Sequence, residues 1–161
     1  MNKNVVTYEL EFNSLVSSLI DQINESGFSP DIVVGVSRGG VLPAVVLSHA
    51  FKVPFQTLHW SKEPATVGDM ELGNESNMWL PHLSTTGVNI LIVDDLCDTG
   101  RTMQEIMDDW DTASGDTELD WGGAIRTACL QKRYTSDVTP DYSVQTINNG
   151  DPVVYPWEHL T

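Results

Sequence analysis

Ile90 to Thr102, reading Ile-Leu-Ile-Val-Asp-Asp-Leu-Cys-Asp-Thr-Gly-Arg-Thr, constrains the fold of this chain more than any other stretch. Four apolar residues, Ile90 to Val93, run without alternation, the pattern of a strand buried on both faces of a parallel sheet. Two carboxylates, Asp94 and Asp95, follow at once. Successive strand side chains point to opposite faces, so the pair diverges unless the strand is already turning there. Small and hydroxyl residues from Leu96 to Thr102 make a turn, and a helix-like run begins near Met103. A strand, a short turn and a helix N-terminus present free backbone N–H groups at one point, which makes a phosphate site.

Acids beside an anion site repel the anion unless something binds between them, such as sugar hydroxyls or a divalent cation. A ribose 5-phosphate satisfies both demands, with its phosphate on the turn amides and its 2- and 3-hydroxyls on the aspartates. The plainer alternative is a strand end with a solvated acidic turn. Strand, acid pair, Asp-Thr-Gly and Thr falling together in order favour the ligand site.

A second strand–turn–helix unit precedes it. Asp31 to Val36 reads as a buried strand, Ser37-Arg38-Gly39-Gly40 as the turn at its end, and Val41 to about Phe51 as a helix. Pro43 fits the first helical turn, where a missing N–H costs little. The glycine pair lets backbone amides approach an anion, and Arg38 adds a fixed positive charge. Alone, Ser-Arg-Gly-Gly is as often an ordinary βα turn.

Elsewhere the chain reads as packing. Phe12, Leu15, Val16, Leu19, Ile20 and Ile23 have helical spacing, with Gly27 placed to end the helix and Pro30 to block its continuation. Val5 and Val6 suit a short edge strand, and Val53 to Trp60, Gly123 to Leu130 and Tyr142 to Thr146 suit further strands. Met103, Ile106, Met107 and Trp110 form one side of a helix, followed by a polar, acidic connection from Asp111 to Trp121. Residues 61–89 show little periodicity and contain Pro64, Gly68, Gly73, Pro81 and Gly87. Loops this long are usually lids or disordered segments. Lys132 and Arg133, two of only eight basic residues, stand after a strand, where α/β sheets bind ligands.

The net charge of −15 is spread along the chain, which argues against binding nucleic acid or an anionic membrane over a broad surface. It fits either a salty environment or a demand for solubility. No apolar stretch approaches the roughly 20 residues that cross a bilayer, and no basic region followed by an apolar run opens the chain. Cys97 and Cys129 have neither metal-ligand spacing nor the number for a disulfide framework. A reducing cytoplasm is therefore expected, with Cys97 a small turn residue and not a nucleophile.

The stretch from Ile90 to Thr102 closely resembles the ribose-phosphate motif of the type I phosphoribosyltransferases, and Ser37 to Gly40 resembles the pyrophosphate loop of the same family. The order of parts is most similar to the xanthine-guanine and hypoxanthine-guanine branch: Ser-Arg-Gly-Gly-x-x-Pro, Asp-Asp-Leu-x-Asp-Thr-Gly-x-Thr, a Lys after a later strand, Asp-Tyr, then a Pro-Trp-acid tail. The resemblance spans roughly residues 30–159. It implies an α/β fold, a parallel Rossmann-like sheet with helices on both faces. One domain over 1–161 would carry a flexible hood at 61–89 and a base-binding tail at 140–161.

The activity implied is Mg²⁺-dependent transfer of a phosphoribosyl group from phosphoribosyl pyrophosphate to guanine, xanthine or hypoxanthine, as in purine salvage. Carried over position by position, Arg38 and the amides of Ser37, Gly39 and Gly40 bind pyrophosphate. Asp94 and Asp95 hold the ribose hydroxyls, one of them through Mg²⁺, and Glu158 assists a second magnesium. Asp98 acts on N7 of the purine, and Asp98, Thr99, Gly100, Arg101 and Thr102 seat the 5-phosphate. Lys132 donates to the purine 6-oxygen, and the Val153 backbone meets the 2-substituent. Arg38 and Asp98 are the catalytic pair. Relatives place a stacking aromatic where this chain has Pro152, which leaves Tyr155 or Trp60 to cover the purine. By analogy with the family a homodimer or homotetramer is expected.

Three other readings compete. A regulator on the same fold would sense phosphoribosyl pyrophosphate without catalysis, since fold does not fix function; Asp98 and Arg38 favour an enzyme. A P-loop kinase lacks its Gly-x-x-x-x-Gly-Lys-Ser/Thr. An aspartate-phosphorylating phosphatase wants Asp-x-Asp after the strand, which Asp94-Asp95 does not supply.

Overall fold

The computed structural model describes residues 4–5, 10–60, 65–67, 70–72, 88–116, 125–148, 150 and 153–158. The first helix, α1 (Leu10–Ser26), buries Leu15, Val16, Leu19 and Ile23 on one stripe, as the spacing predicts. Gly27 ends it at φ +76°, a conformation open to glycine. Strand β2 (Ile32–Ser37), helix α2 (Val41–Phe51) and strand β3 (Phe55–His59) follow. Next come β6 (Ile90–Cys97), α3 (Arg101–Asp116), β7 (Ile125–Arg133) and β8 (Tyr142–Ile147).

Five strands pair in the order β3-β2-β6-β7-β8, every neighbouring pair parallel. Burial on both faces explains the unbroken apolar runs. Val33, Leu91, Val93, Ala128 and Leu130 pack with α1 and α2. Ile32, Val34, Val36, Ile90 and Ile92 pack with Ile106 and Trp110 of α3 on the opposite face. Helices therefore cover both faces, as expected. The chain lays down β3 on one side of β2 and then returns to place β6 on the other. That reversal opens a crevice beyond the carboxyl ends of β2 and β6, where α/β sheets bind ligands. Ser37 to Gly40 and Asp94 to Thr102 both begin there.

Some expectations need correction. Helix α3 starts at Arg101 and runs on to Asp116, through residues the composition marked as a polar connection. Asp, Thr, Ser and Gly are all weak helix formers, so Asp111 to Asp116 gives no local helix signal. The first short strand, β1 (Asn4–Val5), does not edge the main sheet. It pairs in parallel with β9 (Val153–Val154) of the tail. Within the expected hood, β4 (Ala65–Val67) and β5 (Met70–Leu72) form an antiparallel pair, with Gly-Asp between them in sequence. Two-residue connections containing glycine are the commonest link of a hairpin. Asn89, expected as the last hood residue, is tied to the body: its amide donates to Asp31 Oδ2 at 2.8 Å and its Nδ2 to the Ser29 carbonyl at 3.0 Å. Val88 also packs on the core, while Pro152 and hood residues 61–64, 68–69 and 73–87 lie outside the described residues. No described helix is long and apolar enough to cross a membrane.

Candidate active site

Glycine is required at the β2 turn because a carboxylate occupies the space a side chain would take. A Cβ on Gly39 would stand 2.0 Å from Asp95 Oδ2, and one on Gly40 would stand 2.2 Å from the Val93 carbonyl oxygen. The turn after β2 thus lies directly on the acidic end of β6, and the two sequence motifs share one site. The Ser37–Arg38 peptide bond in this turn is cis. Ser37 Oγ lies 3.2 Å from His59 Nδ1 on β3, and Arg38 is exposed. His59 is a contact that sequence reading missed; its register opposite Ser37 follows only from the β2–β3 pairing.

The two aspartates are held by the backbone that follows them. Asp94 Oδ1 accepts from the Asp95 amide at 2.9 Å, and Asp95 Oδ1 accepts from the Leu96 amide at 2.7 Å. Burial, and next the charge of Asp95, push the Asp94 carboxyl well above the ordinary carboxylate range. Asp95 is also raised, chiefly by burial, with Glu158 adding repulsion. Acids packed this way lose charge unless a cation or hydroxyl donors meet them. Among the described residues no three His, Cys, Asp or Glu side chains form a cage for a metal ion. The donor set fits a cation that keeps waters and shares oxygen ligands with a bound phosphate, as Mg²⁺ does.

Beyond Leu96 the chain wraps a cavity of about 120 Å³, with Asp94, Cys97, Asp98, Thr99, Gly100 and Thr102 in its wall. Gly100 sits at φ +80°, and a Cβ there would stand 2.3 Å from Val138 Cβ, so glycine is required twice over. The Asp137 amide donates to the Thr99 carbonyl at 3.2 Å and the Arg101 amide to Thr99 Oγ1 at 3.3 Å, fixing the turn. Helix α3 starts at its end, so a helix N-terminus adjoins the cavity. Arg101 is exposed and ion-paired to Glu105, one helical turn on.

One of the two candidates for covering the purine is removed. Tyr155 is buried, stacked on Trp157 with ring centroids 4.8 Å apart, and its hydroxyl lies 3.0 Å from the Asp95 carbonyl oxygen and 3.1 Å from Gln131 Oε1. It anchors the tail to the acidic strand and has no free face for a purine. Burial also pushes its phenol far up, so it stays protonated. Trp60 is half-buried against the α3 side of the core, and its indole nitrogen donates to Glu105 at 3.2 Å.

Lys132 lies in register with Cys97, one residue before Asp98. Val153 lies in β9, two residues before the Tyr155 anchor. Glu158 accepts from the Tyr155 amide at 2.9 Å, which stations its carboxylate near Asp95. Cys97 is the last residue of β6, buried, and 3.2 Å from Ser136 Oγ; burial raises its thiol, against a nucleophilic role. The unforeseen partner is Arg133, whose Nε lies 2.6 Å from Asp98 Oδ1. Its place beside Lys132 at the ligand end of the sheet was the only signal.

The phosphoribosyl transferase domain family matches residues 8–159 of the chain. Among solved structures, the chain is similar to a purine phosphoribosyltransferase from Pyrococcus horikoshii Ot3. The identity is 26% and the TM-score 0.73, with 100% of this chain and 97% of the other covered. It is also similar to a xanthine-guanine-hypoxanthine phosphoribosyltransferase from Helicobacter pylori, at 18% identity and TM-score 0.67, over 96% and 92% of the two chains. An adenine phosphoribosyltransferase from Thermoanaerobacter pseudethanolicus matches at 18% identity and TM-score 0.54, over 85% and 80%. At 18% identity the last two bear on the fold alone. No curated protein sequence matches the chain.

Proposed function

The chain belongs to the type I phosphoribosyltransferase family and is a phosphoribosyltransferase, and from that premise we propose that it acts on an oxopurine in purine salvage. It would join guanine, xanthine or hypoxanthine to the anomeric carbon of phosphoribosyl pyrophosphate, giving a nucleoside monophosphate and pyrophosphate. One observation carries the phosphoribosyl transfer in this reading: Gly39 stands against Asp95, so an anion loop and a pair of acids converge at the sheet's reversal point.

In this proposal the turn from Asp98 to Thr102 seats the 5-phosphate, and Asp94 and Asp95 accept from the ribose hydroxyls. Arg38, with the amides of Ser37, Gly39 and Gly40, binds the pyrophosphate. Asp94 and Asp95 would hold Mg²⁺ and Glu158 would assist a second one; when bound, the metal would neutralise charge on the leaving group. Departure of pyrophosphate builds positive charge at the sugar, which the two carboxylates stabilise. Asp98 takes or returns the proton at N7 of the base. Lys132 donates to the 6-oxygen, and the Val153 backbone reads the 2-position. The whole chain works as one domain, with residues 61–89 closing over the site and 140–161 holding the base. Helix α2 supports a homo-oligomer: it is apolar from Val41 to Leu47, and Leu42 and Val46, one turn apart, are exposed. The free thiols of Cys97 and Cys129 accord with a cytoplasmic setting.

The test is pyrophosphate release from phosphoribosyl pyrophosphate and Mg²⁺, with guanine, xanthine, hypoxanthine, adenine, uracil and orotate in parallel. Release with oxopurines alone is the expected result. Release only with adenine or a pyrimidine would overturn the base assignment. Silence with every base, alongside tight binding of the sugar phosphate, would overturn the transferase activity in favour of a sensor.

A further inference from the structure

We propose that Arg133 is the positioning residue of Asp98, holding that carboxylate turned to receive the proton of the base. The inference rests on Asp98 being the proton-handling group of the proposed reaction.

The geometry is unlike an ordinary surface ion pair, which is held loosely and contributes little. Here the cation is the fixed member. Arg133 side-chain exposure is 17%, against 64% for Asp98. Arg133 closes β7 in register with Ile147 of β8, its Nη1 donates to the Asn148 carbonyl at 3.1 Å, and its own carbonyl accepts from the Ser136 amide at 3.1 Å. The guanidinium is thus tied to the sheet while Asp98 stands on the loop past the end of β6, where its carboxylate would otherwise rotate. With Oδ1 bound to Arg133 Nε at 2.6 Å, Oδ2 is left as the acceptor. A planar fork can reach Asn148 and Asp98 together, whereas a lysine ammonium presents one compact charge. The chain has 23 acidic residues and eight basic ones, so placing a half-buried cation on this carboxylate is a specific choice.

The test is a double-mutant cycle on the full chain, with Arg133→Gln and Asp98→Asn made singly and together, and Arg133→Lys beside them. Misplacing a reacting group by about 1 Å costs on the order of a hundredfold in rate. Arg133→Gln should lower kcat/KM for the base by up to that factor, with KM for phosphoribosyl pyrophosphate within about twofold of wild type. The loss should vanish in the Asp98→Asn background, since groups that act as a unit are not additive. Arg133→Lys, which keeps the charge and loses the fork, should recover part of the rate. If Arg133→Gln fails to fold, Arg133→Lys alone carries the cycle, with a smaller loss that Asp98→Asn again abolishes. Additive losses, or an equal rise in both KM values, would mean that Arg133 only braces the β7–β8 end, and would overturn the proposal. A wild-type protein silent with every base would overturn the reaction itself. A wild type that turns over with additive losses would overturn only the role of Arg133.

Discussion

The Tyr155 hydroxyl donates to the main-chain carbonyl of Asp95 at 3.0 Å, across 60 residues of chain. That bond ties the C-terminal tail to the strand end that bears the acidic pair. Trp157, stacked on Tyr155 and edge-on to Phe12 at 5.6 Å, locks the same tail to α1. Tyr155→Phe keeps the ring packing and removes only the donor. Leaving a buried acceptor unmet costs about 1–3 kcal/mol, which urea denaturation will report as a lower midpoint with an unchanged slope. Because Val153 is two residues away, KM for the base should rise several-fold while KM for phosphoribosyl pyrophosphate changes little. An unchanged base KM would remove the tail from the base site.

Gly39→Ala separates a need for space from a need for backbone freedom. Gly39 has no positive φ, yet a Cβ there would stand 2.3 Å from Asp95 Cγ. The substitution should displace the Asp95 carboxylate and weaken phosphoribosyl pyrophosphate binding at least tenfold by calorimetry, with the fold retained. Gly27→Ala is the converse: nothing lies within 4 Å of the added Cβ, but φ is +76°. It should cost about 1–2 kcal/mol of stability and leave binding alone. Equal binding loss in both variants would refute the close-approach argument.

Helix α2 gives a prediction about assembly. Leu42 is 44% and Val46 39% exposed, on a helix whose inner side already buries Ala44 and Leu47. Leu42→Glu with Val46→Glu should shift the sedimentation coefficient from an oligomer to a single copy at micromolar concentration. A wild-type protein that already sediments as a single copy would refute the interface.

What the sequence made legible were the places where one local rule suffices. Unbroken apolar runs marked β2 and β6, and helical spacing marked α1. The glycines and carboxylates at the ends of β2 and β6 marked the two loops of the site. Relationships created by strand order were hidden. Nothing local pairs Arg133 with Asp98, or His59 with Ser37, until β7 lies beside β6 and β3 beside β2. Tyr155 was misjudged for the same reason: a tyrosine in a proline-punctuated tail looks available for stacking, and only the folded tail buries it. The end of α3, Asp111 to Asp116, was missed because Asp, Thr, Ser and Gly are weak helix formers.

Asp94 offers the sharpest dependence on pH. Its carboxyl is raised well above the usual range, mainly by burial and next by the charge of Asp95. An acid whose pKa is higher in the folded protein binds its proton more tightly there than in the unfolded chain, so stability falls as pH rises between the two values. The penalty is absent below about 3.9, the unfolded value for Asp, and is complete above the raised folded value. Asp94→Asn removes the charge and should therefore raise the melting temperature of the ligand-free protein at pH 7, by about 2–4 °C for each kcal/mol relieved. Near pH 4 the two proteins should melt together. The same substitution removes an acceptor proposed for ribose and Mg²⁺, so saturating phosphoribosyl pyrophosphate with Mg²⁺ should stabilise wild type and leave the variant almost unmoved. Burial of this carboxylate would then be a cost the fold carries for its ligand. A variant that melts lower than wild type at pH 7 would show instead that Asp94 stabilises the empty fold, through its bond to the Asp95 amide.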